Sequence, residues 1–164
     1  MFGLSLGNQH RAQFEVLLTP WLDGLYASAL RLTRNERNAE DLVQDTVMRA
    51  WRFFDKFEKG TNFRAWIFKI LTNTFINSYR RSGRERSLQD ESELQSVEVS
   101  FFSDHRTQQT QNPEEYLLNR VMSQDVLKAI DSLPIDFRMV VILADLQEFA
   151  YKDIAEILNI PVGT

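Results

Sequence analysis

GTNFRAWIFKILTNTFINSYRR, residues 60–81, is the stretch whose reading decides the fold. Phe63, Trp66, Ile67, Ile70 and Leu71 recur at intervals of three and four, the spacing that places side chains on one face of a helix. Lys69, Asn73, Asn77, Arg80 and Arg81 fall towards another face. Gly60 and Thr61 supply a turn and a cap ahead of the run. Cations for phosphates, amides for base edges and aromatic rings for stacking are what a nucleic-acid surface requires. The same spacing also describes a surface helix with a buried stripe and a charged end, so periodicity alone leaves both readings open.

The remaining sequence extends the helical pattern in both directions. Upstream, Phe14, Leu17 and Leu18 begin an apolar series that Pro20 interrupts or restarts. Trp21, Leu22, Leu25, Tyr26, Ala29 and Leu30 continue it. After a polar break, Asn38 is the expected cap of a helix in which Ala39, Leu42, Val43, Val47, Ala50 and Trp51 form the buried stripe. Asp41, Gln44, Asp45 and Met48 share the opposite side, a solvated face or a partner surface. Downstream, residues 82–112 replace the apolar stripe with serine, glutamine and charge, which reads as a flexible tether. Asn112-Pro113-Glu114-Glu115 restarts a helix, with Leu117, Val121, Leu127 and Ile130 on its core side. Leu133-Pro134 breaks that run, and Phe137, Val140, Val141, Leu143 and Ala144 suggest another helix. Tyr151 to Leu158 suggests one more, with Ile154, Ala155 and Leu158 inward, and Asn159-Ile160-Pro161 signals a turn after it. A short helix followed by such a turn is the first half of a helix-turn-helix. The expectation is an all-α chain: two small helical modules, residues 10–86 and 112–164, joined by a flexible linker over 87–111. The second module ends inside a helix-turn-helix, most of whose second helix is expected to be missing.

Composition narrows the function. The 164 residues include no cysteine and two isolated histidines, so a disulfide, a thiol nucleophile and a zinc or catalytic-histidine site are not expected. No apolar run reaches the roughly 18 residues of a membrane helix. The opening MFGLSLGNQH lacks the basic and long apolar regions of a secretory signal, so cytoplasmic residence is expected. The net charge of −4 conceals an asymmetry: residues 1–86 carry 14 Lys/Arg against 9 Asp/Glu, while residues 87–164 carry 5 against 14. The first part suits a polyanion and the second resists one. Asp41 and Asp45 share a helical spacing but lack a plausible metal set, and no catalytic constellation emerges; a helical enzyme would need an organised pocket that no motif suggests.

Taken in order, AEDLVQDTVMRAW (39–51), FEKGTNFRAWIFKILTNTFINSYRR (57–81) and LPIDFRMVVILADLQEFAYKDIAEILNIPVGT (133–164) resemble the extracytoplasmic-function sigma factors of bacterial RNA polymerase, of the sigma-70 family. The resemblance covers about residues 10–86 and 112–164. It is greatest to the redox-responsive group controlled by zinc-containing anti-sigma proteins. It implies a non-catalytic specificity subunit, cytoplasmic and nucleoid-associated, that binds core RNA polymerase and promoter DNA and is held by an anti-sigma factor. No cofactor and no membrane insertion are implied, and any zinc belongs to the partner. The 39–51 segment resembles the helix that docks on the polymerase clamp, which assigns Asp41, Gln44, Asp45 and Met48, flanked by Arg49 and Arg52, to that interface. The 57–81 segment resembles the loop and helix that read the −10 element and capture an unstacked base. That assigns Lys59, Thr61, Asn62, Phe63, Arg64, Lys69, Asn73, Asn77, Tyr79, Arg80 and Arg81 to DNA; Phe63 serves equally as a buried support, and Trp66 reads as structural. The last segment resembles the module that reads the −35 element and touches the polymerase flap. Without its recognition helix, −35 reading is in doubt, and the alternative is a partner-sequestered fragment held by an anti-sigma factor without productive promoter binding.

Overall fold

A computed structural model describes residues 2–89 and 124–163, with side chains described over 7–84 and 124–163. Among them the secondary structure is helical: α1 (Phe2–Leu18), α2 (Leu22–Thr33), α3 (Glu36–Phe53), α4 (Phe63–Gln89), α5 (Gln124–Ser132), α6 (Ile135–Val141) and α7 (Tyr151–Leu158). Pro20 sits in a 3₁₀ turn, Thr19–Trp21, between α1 and α2, where its fixed φ is tolerated and its missing N–H costs little. A π-helical turn, Ile142–Leu146, extends α6. None of the described helices is long and apolar enough to cross a membrane.

The α2–α3 connection shows how local chemistry sets the boundaries. Arg34 adopts a left-handed conformation (φ 55°) and its N–H closes α2 onto the Leu30 carbonyl at 2.8 Å. Asn35 is then extended, and its side chain accepts the Asn38 N–H at 2.9 Å. The cap is therefore Asn35 and not the expected Asn38, because Arg34 reverses the chain early enough for α3 to start at Glu36. The same correction applies at α4. Gly60 takes the positive φ (88°) of the turn and the Thr61 hydroxyl donates to the Glu58 carbonyl. Asn62, rather than Thr61, caps the helix by accepting the Ala65 N–H.

Helices α2, α3 and α4 pack on one another around Leu25, Ala29, Leu42, Ala50, Ile67 and Leu71, all buried. An aromatic cluster of Phe14, Phe54, Phe57 and Phe63 fastens α1 and the loop before α4 to this core, in mostly edge-to-face contacts 5.1–6.5 Å between centroids. The expected stripe of α3 holds for Ala39, Leu42 and Ala50, with Val43 and Val47 half-buried. Trp51 does not belong to it: 42 % of its surface is exposed, and it leans on Phe14 and His10 from outside. Thr46 takes a fully buried place instead, its hydroxyl donating to the Leu42 carbonyl at 2.7 Å.

The two expected modules pack on each other. α7 packs against α4, and the π turn and α6 pack against α2. Phe149 meets Phe68 edge-on at 5.2 Å, and Met139, Ile142, Leu143, Ile154 and Ile157 join the same buried cluster as Leu25 and Ile67. That is why Phe68, outside the stripe that periodicity assigned to α4, is fully buried. In the second module Leu127, Ile130, Ile154 and Ala155 are buried as expected, while Leu158 is half-buried and Ile157 takes the deeper position. α4 runs on to Gln89, three residues into the expected linker. The linker over 90–111, the restart at Asn112, and Leu117 and Val121 lie outside the described residues.

Candidate nucleic-acid and polymerase interface

Two surfaces of the first module carry the residues that the sequence singled out. On α3, Asp41, Gln44, Asp45, Met48, Arg49 and Arg52 are all exposed, and Met48 is 63 % exposed. Trp51 and Phe53, 42 % and 44 % exposed, extend this surface with apolar area, and Lys56 lies over the Phe53 ring at 5.4 Å. The signal for Trp51 was in the sequence: it follows Met48 by three residues, so the exposed spacing 41-44-48-51 continues through it. An aromatic and a methionine framed by charges give a protein-binding surface its anchors.

The second surface follows the loop before α4 and the exposed side of that helix. Lys59, Thr61 and Asn62 are exposed in the loop. Lys69, Asn73 and Asn77 recur every four residues on α4, followed by Tyr79, Arg80 and Arg81, all exposed. From Lys69 to Arg81 the row rises about 18 Å along the helix, enough to follow several nucleotides. The Asn62 carbonyl oxygen is committed to its capping bond, which leaves its amide N–H groups for a ligand. Between the two surfaces, α3 and α4 flank an open groove of about 350 Å³ with a mixed lining that includes Asn38, Asp41, Leu42, Asp45, Phe75 and Tyr79.

Two assigned residues are placed elsewhere. Phe63 is 5 % exposed and packs on Phe57 and Trp66, which makes it a support of the loop rather than a free stacking ring. Arg64 points into the contact with the second module. Its guanidinium carbon lies 4.1 Å from the Phe149 ring centroid and 5.1 Å from that of Trp21, and it donates to the Gln147 carbonyl. A cation between two aromatic faces with its charge bonded to a carbonyl is not presented to a phosphate.

A cluster of charges accompanies this contact. The Asp131 carboxylate, at the end of α5, approaches Arg31 at 3.6 Å and Arg34 at 3.8 Å. Arg138 donates to the Asp131 and Leu133 carbonyls at 2.8 and 2.9 Å and so caps α5. Burial, reinforced by neighbouring Arg34 and Arg31, outweighs Asp131 and Tyr79 and lowers the Arg138 pKa to about 10. Burial likewise lowers that of Arg34, with Asp131 opposing it. Two guanidiniums thus face the Asp131 carboxylate, and a third, Arg138, bonds backbone carbonyls beside it. Sequence reading singled out none of these four, because they come together only when α5 and α6 pack on α2.

The second module presents α7 with its expected boundaries, Tyr151–Leu158. Asn159 ends it in a left-handed conformation (φ 54°), and the Ile160 N–H returns to the Ala155 carbonyl at 3.0 Å. Tyr151 and Lys152 at its start are exposed. Among the described residues no group of three or more His, Cys, Asp or Glu side chains is gathered to hold a metal.

Comparison with known proteins bears on both modules. The Sigma-70 region 2 family profile matches residues 17–85, and the Sigma-70, region 4 profile matches residues 123–164. The chain is 32 % identical over 151 residues to the ECF RNA polymerase sigma factor SigE of Mycolicibacterium smegmatis, covering 92 % of this chain and 55 % of that protein. It is 33 % identical over 124 residues to the ECF RNA polymerase sigma-E factor of Escherichia coli K12, covering 76 % of this chain and 64 % of that one. The chain thus spans less than two thirds of the length of these relatives. Among solved structures, it is similar to the sigma factor RpoE in complex with the anti-sigma factor NepR from Bartonella quintana. There the TM-score is 0.69 and the identity 36 %, over 92 % of this chain and 86 % of that one. The fold is also that of CnrH in complex with the cytosolic domain of CnrY, with a TM-score of 0.61 at 22 % identity, over 93 % of this chain and 77 % of that one. With both regions present in order and 36 % identity across most of a solved sigma factor, the chain belongs to the extracytoplasmic-function group of the sigma-70 family.

Proposed function

We propose that this chain directs bacterial RNA polymerase to promoters, binding the core enzyme through α3 and the −10 element through the loop before α4 and the exposed row of that helix. The observation that carries the reading is the separation of the two surfaces. Asp41, Gln44, Asp45 and Met48 are exposed together on α3, and Lys59, Lys69, Asn73, Asn77, Arg80 and Arg81 are exposed along the neighbouring loop and helix. An acid-and-methionine surface suits a protein partner and a cation-and-amide row suits a melted strand, so both can be occupied at once. Its role is to hold and position; no step of RNA synthesis is assigned to its own side chains, and it needs no cofactor. A cytoplasmic, nucleoid-associated location follows from that role.

The test is transcription from a promoter panel by purified core polymerase with and without the chain. Initiation at a defined subset of promoters, lost in a Lys69→Ala/Arg81→Ala variant that still binds core enzyme, supports the reading. Failure to bind core polymerase refutes it.

A second reading has its own support. The solved sigma factor with 36 % identity was captured with an anti-sigma factor. An anti-sigma partner for this chain is proposed on that basis, as a protein that covers the α3 and α4 surfaces. The comparisons point to the extracytoplasmic-function group as a whole, and the zinc-containing kind of partner rests on the sequence resemblance alone.

A further inference from the structure

His10 lies on α1 one turn before the buried Phe14, and it reaches the far end of α3. Its Nε2 is 2.9 Å from the Asp55 Oδ1, in the turn that follows α3. Its ring meets Phe54 at 4.8 Å and Trp51 at 5.5 Å between centroids. An Nε2–H donates to the carboxylate whether the imidazole is neutral or protonated, so the bond does not require a charged ring. Trp51 thus has two neighbours from α1, His10 and Phe14, the latter at 5.3 Å, and it stacks on Phe54 at 6.4 Å with an angle of 19°. The indole remains 42 % exposed, one turn beyond Met48 on the α3 face proposed for the polymerase.

The bond between His10 and Asp55 contributes little to stability. The Asp55 side chain is 84 % exposed and that of His10 33 %, and water replaces most of such an open contact in the unfolded chain. Phe14 and Leu18, both buried, already fasten α1 to the core. What His10 adds is direction. With its Nε2 tied to Asp55, the imidazole stands beside Phe14 against the indole and limits the rotamers open to Trp51.

We propose that His10 and Asp55 form a clasp by which α1 positions Trp51 as the aromatic anchor of the polymerase-binding surface. The proposal rests on the polymerase reading of α3. The partner is core RNA polymerase because Trp51 continues the exposed row of Asp41, Gln44 and Met48 without a break. An aromatic ring ordered before binding gives up little side-chain freedom when the partner arrives, so more of its contact area is realised as affinity. His10 and Asp55 are positioning residues that act on the polymerase through the indole. The N-terminal helix is thereby a working part of a surface that lies on another helix.

The test is a double-mutant cycle on the whole chain, read as affinity for purified core RNA polymerase. Trp51→Ala is expected to weaken binding by about tenfold or more. His10→Ala and Asp55→Ala are each expected to weaken it about three- to tenfold, the cost of ordering one side chain at an interface. In a Trp51→Ala background neither should weaken it further. His10→Gln, which keeps an N–H donor for Asp55, should recover most of the loss. Fluorotryptophan labelling supplies a second readout: the fluorine NMR signal that vanishes in Trp51→Phe should move in His10→Ala and Asp55→Ala, and much less in His10→Gln. Asp55→Ala, at an exposed carboxylate, keeps the test open should His10→Ala loosen α1. Full binding by both alanine variants, or an unmoved fluorine signal in both, overturns the clasp. An equal loss with and without Trp51 overturns it too, since the pair would then act on the polymerase or the fold directly. Full binding by Trp51→Ala overturns the anchor. No binding by the parent chain refutes the polymerase reading of α3 itself and the proposal with it.

Discussion

The α3 surface and the start of α4 have similar sequence signatures and opposite fates. Both place charged side chains at helical spacing beside a buried stripe. On α3 the charged residues from Asp41 to Arg52, with Gln44, remain exposed. On α4, Lys69, Asn73, Asn77, Arg80 and Arg81 are exposed, but Arg64, near the start of the helix, is covered by Gln147 and Phe149 from 83 and 85 residues away. The difference teaches that spacing identifies which side of a helix faces away from its own module, and not what another module then lays over it. A guanidinium stacks on rings and bonds a carbonyl through a fixed fork, which is how Arg64 seals the contact between Trp21, Phe149 and the Gln147 carbonyl.

The largest expected effect comes from removing the ring beneath both modules. Phe68 is fully buried and meets Phe149, so Phe68→Ala should lower stability by about 3–5 kcal/mol and loosen the second module from the first, read by thermal unfolding and hydrogen exchange. Leaving α7 as protected as before would show that the two modules do not share a core. Next is the α3 surface. Asp41→Arg/Asp45→Arg should weaken core polymerase binding by at least about tenfold, about 1.4 kcal/mol, with an unchanged melting curve, because neither carboxylate supports the fold. On α4, Lys69→Ala and Arg81→Ala should each weaken DNA binding several-fold and reduce the salt slope by about 1, without discriminating between sequences. Asn73→Ala or Asn77→Ala should instead alter sequence preference more than salt dependence if their amides meet base edges. The smallest is at the turn before α3: Asn35→Ala should cost about 1 kcal/mol through loss of the Asn38 N–H acceptor, whereas Asn38→Ala should cost much less.

Much of this was legible in the chain. The apolar spacing placed α3, α4 and α7 within a few residues, and exposure of Asp41, Gln44, Asp45 and Met48 followed from the same period. Caps were misplaced by one residue at Asn62 and three at Asn35, because the capping residue is selected by the turn before it: the left-handed Arg34 in one case and Gly60 in the other. Trp51 was assigned to the core because aromatics usually are; its spacing from Met48 said otherwise. The contact around Arg64 was out of reach, since its partners are distant in sequence and follow a π turn that no local pattern announces. The acidic balance of the second part, read as resistance to DNA, has a structural counterpart in Asp131, which meets two arginines of the first module.

Binding to purified core RNA polymerase tests the central claim most directly, measured for the parent chain, for Asp41→Arg/Asp45→Arg and for Lys69→Ala/Arg81→Ala. The account predicts that the parent and the α4 variant bind alike and that the α3 variant loses at least about tenfold in affinity. Equal binding by all three, or no binding by the parent, would contradict it.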